Sequence, residues 1–196
     1  SNDFFTQRLL ALLGVSKEAV PHNHAVDPLR ALAYAGLISQ QPRSAHLFEG
    51  MLADYFPEAA IDVEPFEGAW VGIPQDQQNM LGLGNCRLGR DLSVGAEVFS
   101  RAGTFKVNVC DLGFDDFMEF LPHGSKMPQI RELVDLFNTD CLDYVLELCV
   151  RADEVPGLNL SGRTAYLGWS SWLGQGQPGS TNCVKFTIRG WFHGRR

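Results

Sequence analysis

A chain of 196 residues, 45% of them hydrophobic and 20% charged, suits one soluble domain with a substantial core. Sixteen basic side chains against twenty-three acidic ones leave a net charge of −7, which disfavours non-specific binding to nucleic acid or to an anionic membrane. No apolar run is long enough to span a bilayer, and no signal-peptide pattern opens the chain. The opening Ser1-Asn2 reads as a cloning scar, and the chain therefore as a piece of something longer. Five scattered cysteines (Cys86, Cys110, Cys141, Cys149 and Cys183) form no CxxC pair, which argues against a zinc knuckle or disulfide framework and favours a reducing compartment.

In chain order, Phe4, Phe5, Leu9, Leu12 and Leu13 fall at helical spacing before Gly14. This N-terminal helix and its linker, residues 1–27, are expected to stand apart from an α+β domain over residues 28–196. Asp27-Pro28 reads as a cap and first turn, with Leu29, Leu32, Ala33 and Leu37 on one face. Pro42 opens a third helix, whose stripe runs from Leu47 and Phe48 to Tyr55 and Phe56 and stops at Pro57. Ile61 and Val63 then alternate with acids as a short strand. Residues 66–90 have no sustained period and read as a long structured loop, a feature more often functional than accidental.

Val94, Ala96 and Val98 alternate, as do Phe105, Val107 and Val109, with Ala102-Gly103 between them; this predicts a hairpin. Two short helices follow, around Phe117 and around Leu133, and then strands over residues 142–150 and 184–188. The resulting expectation is an α+β fold: N-terminal helices, then a mainly antiparallel sheet with inserted short helices and long loops.

No catalytic constellation emerges. His22 and His24 lack a third metal ligand nearby. Asp115-Asp116 falls in a helix's first turn, where acids meet the helix dipole favourably. Gly82-Leu83-Gly84 matches neither nucleotide-binding fingerprint, and Ser170-Ser171 sits in no nucleophile elbow. The better lead is aromatic. Trp70, Trp169, Trp172 and Trp191 all lie in or beside irregular segments, and loop-borne tryptophans suit interface anchors. The competing reading makes the Trp169/Trp172 stretch the wall of a small-ligand or catalytic pocket, with Arg163, Tyr166 and Ser170 as its polar groups.

The motifs taken together, in order, resemble the TssG family of type VI secretion baseplate subunits. The resemblance runs through Arg43 to Phe56 (R-S-A-H-L-F-E-G-M-L-A-D-Y-F), Val63 to Trp70 (V-E-P-F-E-G-A-W), Gly103 to Val107, Phe117 to Pro122, and Leu167 to Gly174 (L-G-W-S-S-W-L-G). Cys110-Asp111-Leu112 stands where the family carries Gly-Pro-Leu. The resemblance implies assembly and not catalysis, with no cofactor or metal. It implies a cytoplasmic subunit at a baseplate docked on the inner membrane, joining TssF to TssK and helping to seat the VgrG spike and seed the sheath beside TssE. On this reading Trp70, Leu83, Trp169, Trp172 and Leu173 are the candidate partner anchors, with Phe4 and Leu9 a further surface for TssF.

Overall fold

A computed structural model describes residue 8 and residues 25–140, 142–155, 166–172 and 181–188. Among the described residues from 25 onward, the α-helices α1 (Pro28–Ala33), α2 (Ala35–Ile38), α3 (Ala45–Tyr55), α4 (Phe114–Phe120) and α5 (Met127–Phe137) accompany six strands. The strands are β1 (Ala60–Glu64), β2 (Ala69–Gly72), β3 (Glu97–Ser100), β4 (Thr104–Leu112), β5 (Asp143–Arg151) and β6 (Thr181–Ile188). Four strands form the main sheet in the order β1-β4-β5-β6, and among the described residues β2 and β3 form a separate pair. The predicted α+β class holds. Pairing is antiparallel at β1–β4, β5–β6 and β2–β3, while the central β4–β5 pair is parallel. A parallel neighbour needs a crossover, and α4 and α5 supply it.

Side-chain alternation settles which face the helices cover. Ile61, Val63, Val107, Val109, Leu112, Tyr144, Leu146, Leu148 and Val150 are buried on one side. Against them pack Phe48, Met51 and Leu52 of α3, Phe117 and Phe120 of α4, and Ile130, Leu133 and Val134 of α5. An aromatic column crosses these layers. Phe137 stacks on Phe48 (centroids 4.7 Å apart), Phe48 meets Phe105 edge-on (6.1 Å), and Phe105 stacks on Tyr144 (5.7 Å). The opposite face is polar: Asn108 donates to Asp62 (3.1 Å) and Glu64 (2.7 Å), and Lys106 lies 3.0 Å from Glu64 and 3.6 Å from Glu147.

Several local expectations are corrected. The expected hairpin between residues 94–98 and 105–109 does not form, because β3 pairs with β2 and β4 is taken by β1 and β5. The apolar face of β4 finds a helix-covered core, whereas β3 has none to offer. The second helix breaks at Tyr34, and its inward face is Ala31, Tyr34 and Ile38; Tyr34 donates a 2.5 Å hydrogen bond to Asp54. The third helix is capped not by Pro42 but by Ser44, whose hydroxyl accepts from the Leu47 amide at 3.3 Å. The first predicted helix lies outside the described residues except for Arg8, which is helical. Cys149 and Cys183 are joined in a disulfide across β5 and β6, where the cysteine spacing argues against a disulfide framework; strand registry, invisible in that spacing, sets them opposite each other.

Two turns deserve a physical account. At Asp111 the backbone is left-handed (φ 59°), and the β4–β5 register shifts between Val109 and Leu112. The bulge returns Leu112 to the core face, and aspartate tolerates this conformation better than most residues. Between α4 and α5, a Cβ on Gly124 would sit 2.0 Å from the Glu119 carbonyl oxygen. The same turn sets Lys126 beside three carboxylates: Glu58 at 2.8 Å, Asp116 at 2.9 Å and Glu119 at 3.0 Å. Burial works against the Lys126 charge, but hydrogen bonds to the three acids outweigh it and raise its pKa.

Four substitutions probe these contacts. Gly124→Ala should cost at least about 2 kcal/mol in denaturant unfolding, since backbone must move, while Gly50→Ala on the open side of α3 should gain about 0.5–1 kcal/mol. Lys126→Met should cost about 1–3 kcal/mol by leaving three acids clustered, the figure kept low because those acids are partly solvated. Burial pushes the Tyr144 hydroxyl up to about 12, with Asp135 adding to it. That stabilisation is complete below the ordinary tyrosine pKa and is lost as pH climbs through 12. Tyr144→Phe should therefore flatten the alkaline limb of a melting-temperature profile between pH 10 and 12.

Candidate partner-binding surface

β2 and β3 stand off the core as a two-stranded ribbon. Trp70 pairs in register with Phe99 and Val71 with Val98, and the Trp70 and Phe99 rings meet edge-on at 5.5 Å. Gly68 makes room for this arrangement: a Cβ there would lie 2.3 Å from the Phe99 ring. All four ribbon side chains remain exposed, Trp70 at 67%. A two-stranded ribbon with no hydrophobic face covered is marginal in water.

The segment joining the two strands, residues 73–96, is held by its own hydrogen bonds. Ile73 donates to the Ala96 carbonyl (2.7 Å) and accepts from the Gln78 amide group (2.8 Å). Asn85, in a left-handed conformation (φ 54°), donates to the carbonyls of Asp76 (2.9 Å) and Gln78 (3.1 Å). Asp91 accepts from both the backbone and the guanidinium of Arg87, at 2.8 and 3.0 Å. Gln78, Asn85 and Asp91 are half-buried on the loop's own frame, while several of its apolar side chains turn out. Leu81 is 89% exposed, Leu83 87%, Leu88 89% and Val94 83%. That is the reverse of the usual partition, and apolar groups clustered in the open mark interaction sites.

The tryptophan stretch behaves differently. Residues 167–170 form a turn closed by Tyr166, whose carbonyl accepts from the amides of Trp169 (3.1 Å) and Ser170 (3.0 Å). The Ser170 hydroxyl accepts from the Tyr166 amide at 2.9 Å, and Gly168 takes φ 80°. Trp172 is half-buried with its ring 5.6 Å from Phe117, and Trp169 is half-buried near His123. Both tryptophans pack against the core, while Leu167 points out at 95% exposure.

Among the sequence-predicted anchors, the structure brings Trp70 and Leu83 onto one arm and sets Trp169 and Trp172 on the rim of the core. Leu173, Phe4 and Leu9 lie outside the described residues. Leu81, Leu88, Val94 and Phe99 were not singled out. Leu81 and Leu88 stand isolated among Gly, Asn and Arg in an aperiodic stretch, which no periodicity test registers, while Val94 reads as a strand position and Phe99 follows that alternation directly. A cavity of about 200 Å³ opens at one end of the main sheet, among Arg43, Phe48, Phe66, Phe105 and Phe137; Trp169 and Trp172 do not line it. Arg43 closes one wall by donating to the carbonyls of Leu136 (3.0 Å) and Phe137 (2.6 Å) at the end of α5. No helix among the described residues is long and apolar enough to cross a membrane.

The fold has solved counterparts. A chain in the cryo-electron-microscopy structure of the type VI secretion system TssK-TssF-TssG baseplate subcomplex superposes with a TM-score of 0.65 at 19% identity, covering 96% of this chain and 79% of that one. A chain of the baseplate complex from the type VI secretion system gives a TM-score of 0.64, also at 19% identity, over 97% of this chain and 53% of that one. No curated protein gives a significant match. The family model for type VI secretion TssG matches residues 1–174, and the chain belongs to that family.

Proposed function

We propose that this chain is a structural subunit of a type VI secretion baseplate, and that the arm carried by β2 and β3 is its main docking element. The helix-backed sheet is the rigid part, from which residues 69–100 project as a pre-shaped plug. The observation that carries the reading is the set of outward-facing leucines on a loop ordered by internal hydrogen bonds. Burying Leu81, Leu83, Leu88 and Val94 in a partner would contribute about 6–10 kcal/mol gross, before the costs of association. Because the loop is already folded, less of that gain is lost to ordering it.

TssK and TssF are the natural partners, since solved complexes containing this fold are built with them. In this reading the chain bridges the two, and the wedge so formed contributes to seating the VgrG spike, with TssE and the sheath assembling on the completed plate at the inner membrane. Its role is mechanical, without catalysis. The acidic balance of the chain fits such protein partners better than a polyanion.

Binding to purified TssK and TssF tests this. Combined Leu81→Asp, Leu83→Asp and Leu88→Asp should weaken capture of one partner at least about a hundredfold with the melting temperature unchanged, because these side chains touch no core. Trp169→Ala with Trp172→Ala should instead lower the melting temperature, with partner affinity following the fraction folded. Full binding by the aspartate variant would remove the arm from the interface.

A further inference from the structure

The solvent-side face of the main sheet carries a feature the assembly role does not use. Cys149 on β5 and Cys183 on β6 are direct cross-strand partners with Cα atoms 4.1 Å apart. Glu147, two residues before Cys149, projects from the same face. Its carboxylate and the two sulfurs all lie within 4.8 Å of one another. Cys149 is buried, Glu147 is half-buried and Cys183 is exposed, so the group has a closed floor and an open mouth.

We propose that, once the disulfide is reduced, Glu147, Cys149 and Cys183 form a binding site for a thiophilic divalent cation of the zinc class. Two sulfurs and one carboxylate are a donor set that such ions take tetrahedrally, with a fourth position left to water at the exposed mouth. Zinc–sulfur bonds of about 2.3 Å require the sulfurs to stand about 3.8 Å apart. With the Cα atoms 4.1 Å apart, that separation lies within reach of side-chain rotation once the disulfide is open.

Charge supports the assignment. Two thiolates and a carboxylate bring three negative charges, of which the ion offsets two, and Lys106 lies beside the remainder while shared with Glu64. Lys106 already spans Glu64 at 3.0 Å and Glu147 at 3.6 Å, so it keeps a partner when Glu147 turns to the metal. Cys110, also on this face, is a bystander: burial pushes its thiol up, and the charges of Glu147 and Asp62 add to that, which keeps it protonated.

The two states exclude each other and balance simply. A dithiol or phosphine reductant donates two electrons to the Cys149–Cys183 bond, and two protons complete the thiols. Metal binding then releases those protons to solvent as two metal–sulfur bonds form. Either state ties the edge strand β6 to β5, so the site maintains the staple where the surroundings are reducing.

The test uses the whole chain, reduced with a phosphine under exclusion of air and titrated with Zn²⁺ against a chromophoric chelator, and with Co²⁺ to read thiolate-to-metal absorption. The expected result is one equivalent bound, a cobalt spectrum of two thiolates in tetrahedral geometry, and a melting temperature raised by about 5–10 °C with zinc. Cys183→Ser should weaken binding at least about a hundredfold and Glu147→Gln at least about tenfold, while Cys110→Ser leaves it intact. Cys183 is exposed and Glu147 half-buried, so these variants are informative even if Cys149→Ser fails to fold. Absence of stoichiometric binding by the reduced chain, or binding undiminished in Cys183→Ser, would overturn the proposal.

Discussion

The aromatic column running from Phe137 through Phe48 and Phe105 to Tyr144 is the contact on which the rest of the architecture depends. Its four rings come from α5, α3, β4 and β5, elements far apart in sequence. Ring pairs at these separations contribute about 0.5–1.5 kcal/mol each beyond the area they bury. More important is geometry: stacked and edge-on rings fix the helices at one height over the sheet. Once α3 and α5 are set, Lys126 can gather Glu58 from the turn that follows α3 and both Asp116 and Glu119 from α4. The central β4–β5 pair is then covered on its apolar face by the helices.

A rigid body of this kind explains why the arm can afford to be unsupported. β2 and β3 leave the sheet at Pro65-Phe66 and rejoin it at Arg101 to Gly103, and Glu67 donates to the Thr104 carbonyl at 2.9 Å, pinning the arm's root to β4. Phe66 takes a left-handed conformation (φ 64°) at the point of departure, a strained geometry for an aromatic residue. The stability of the domain lies in the sheet and helices, and the arm contributes little to it. An element in that position is free to carry leucines that would be a liability anywhere else.

Sequence periodicity captured the parts of the fold governed by burial. The stripes of α3 and α5 and the alternation of β5 were legible because each faces one core, and the strand at Ile61 and Val63 likewise. Pairing was not legible. The sequence neighbours β3 and β4 suggested a hairpin, yet β4 joins β1 and β5 because its apolar face, with Val107, Val109 and Leu112, needs the helices above it. Trp70 and Leu83 could be marked as candidate anchors because they lie in an aperiodic, loop-like stretch. Leu81, Leu88 and Val94 could not, since their exposure follows from a loop frame built on Asn85 and Asp91 side chains that no pattern predicts. Tryptophans in irregular segments looked alike in sequence, and only the packing of Trp172 on Phe117 separates a rim residue from an exposed one such as Trp70.

The two faces of the main sheet divide the molecule's tasks. The helix-covered face is apolar and holds the shape. The other carries Asp62, Glu64, Lys106, Asn108 and Glu147 in a cross-strand network whose members satisfy one another. Such a face resists non-specific apolar association, which concentrates sticky surface on the arm and not on the sheet. It also fills the open side with polar and sulfur donors at fixed cross-strand spacing, the arrangement from which the Glu147, Cys149 and Cys183 cluster arises. Strand registry does here what sequence spacing cannot: residues 34 positions apart become neighbours, and β6, paired among the described residues with β5 alone, acquires a covalent tether to it.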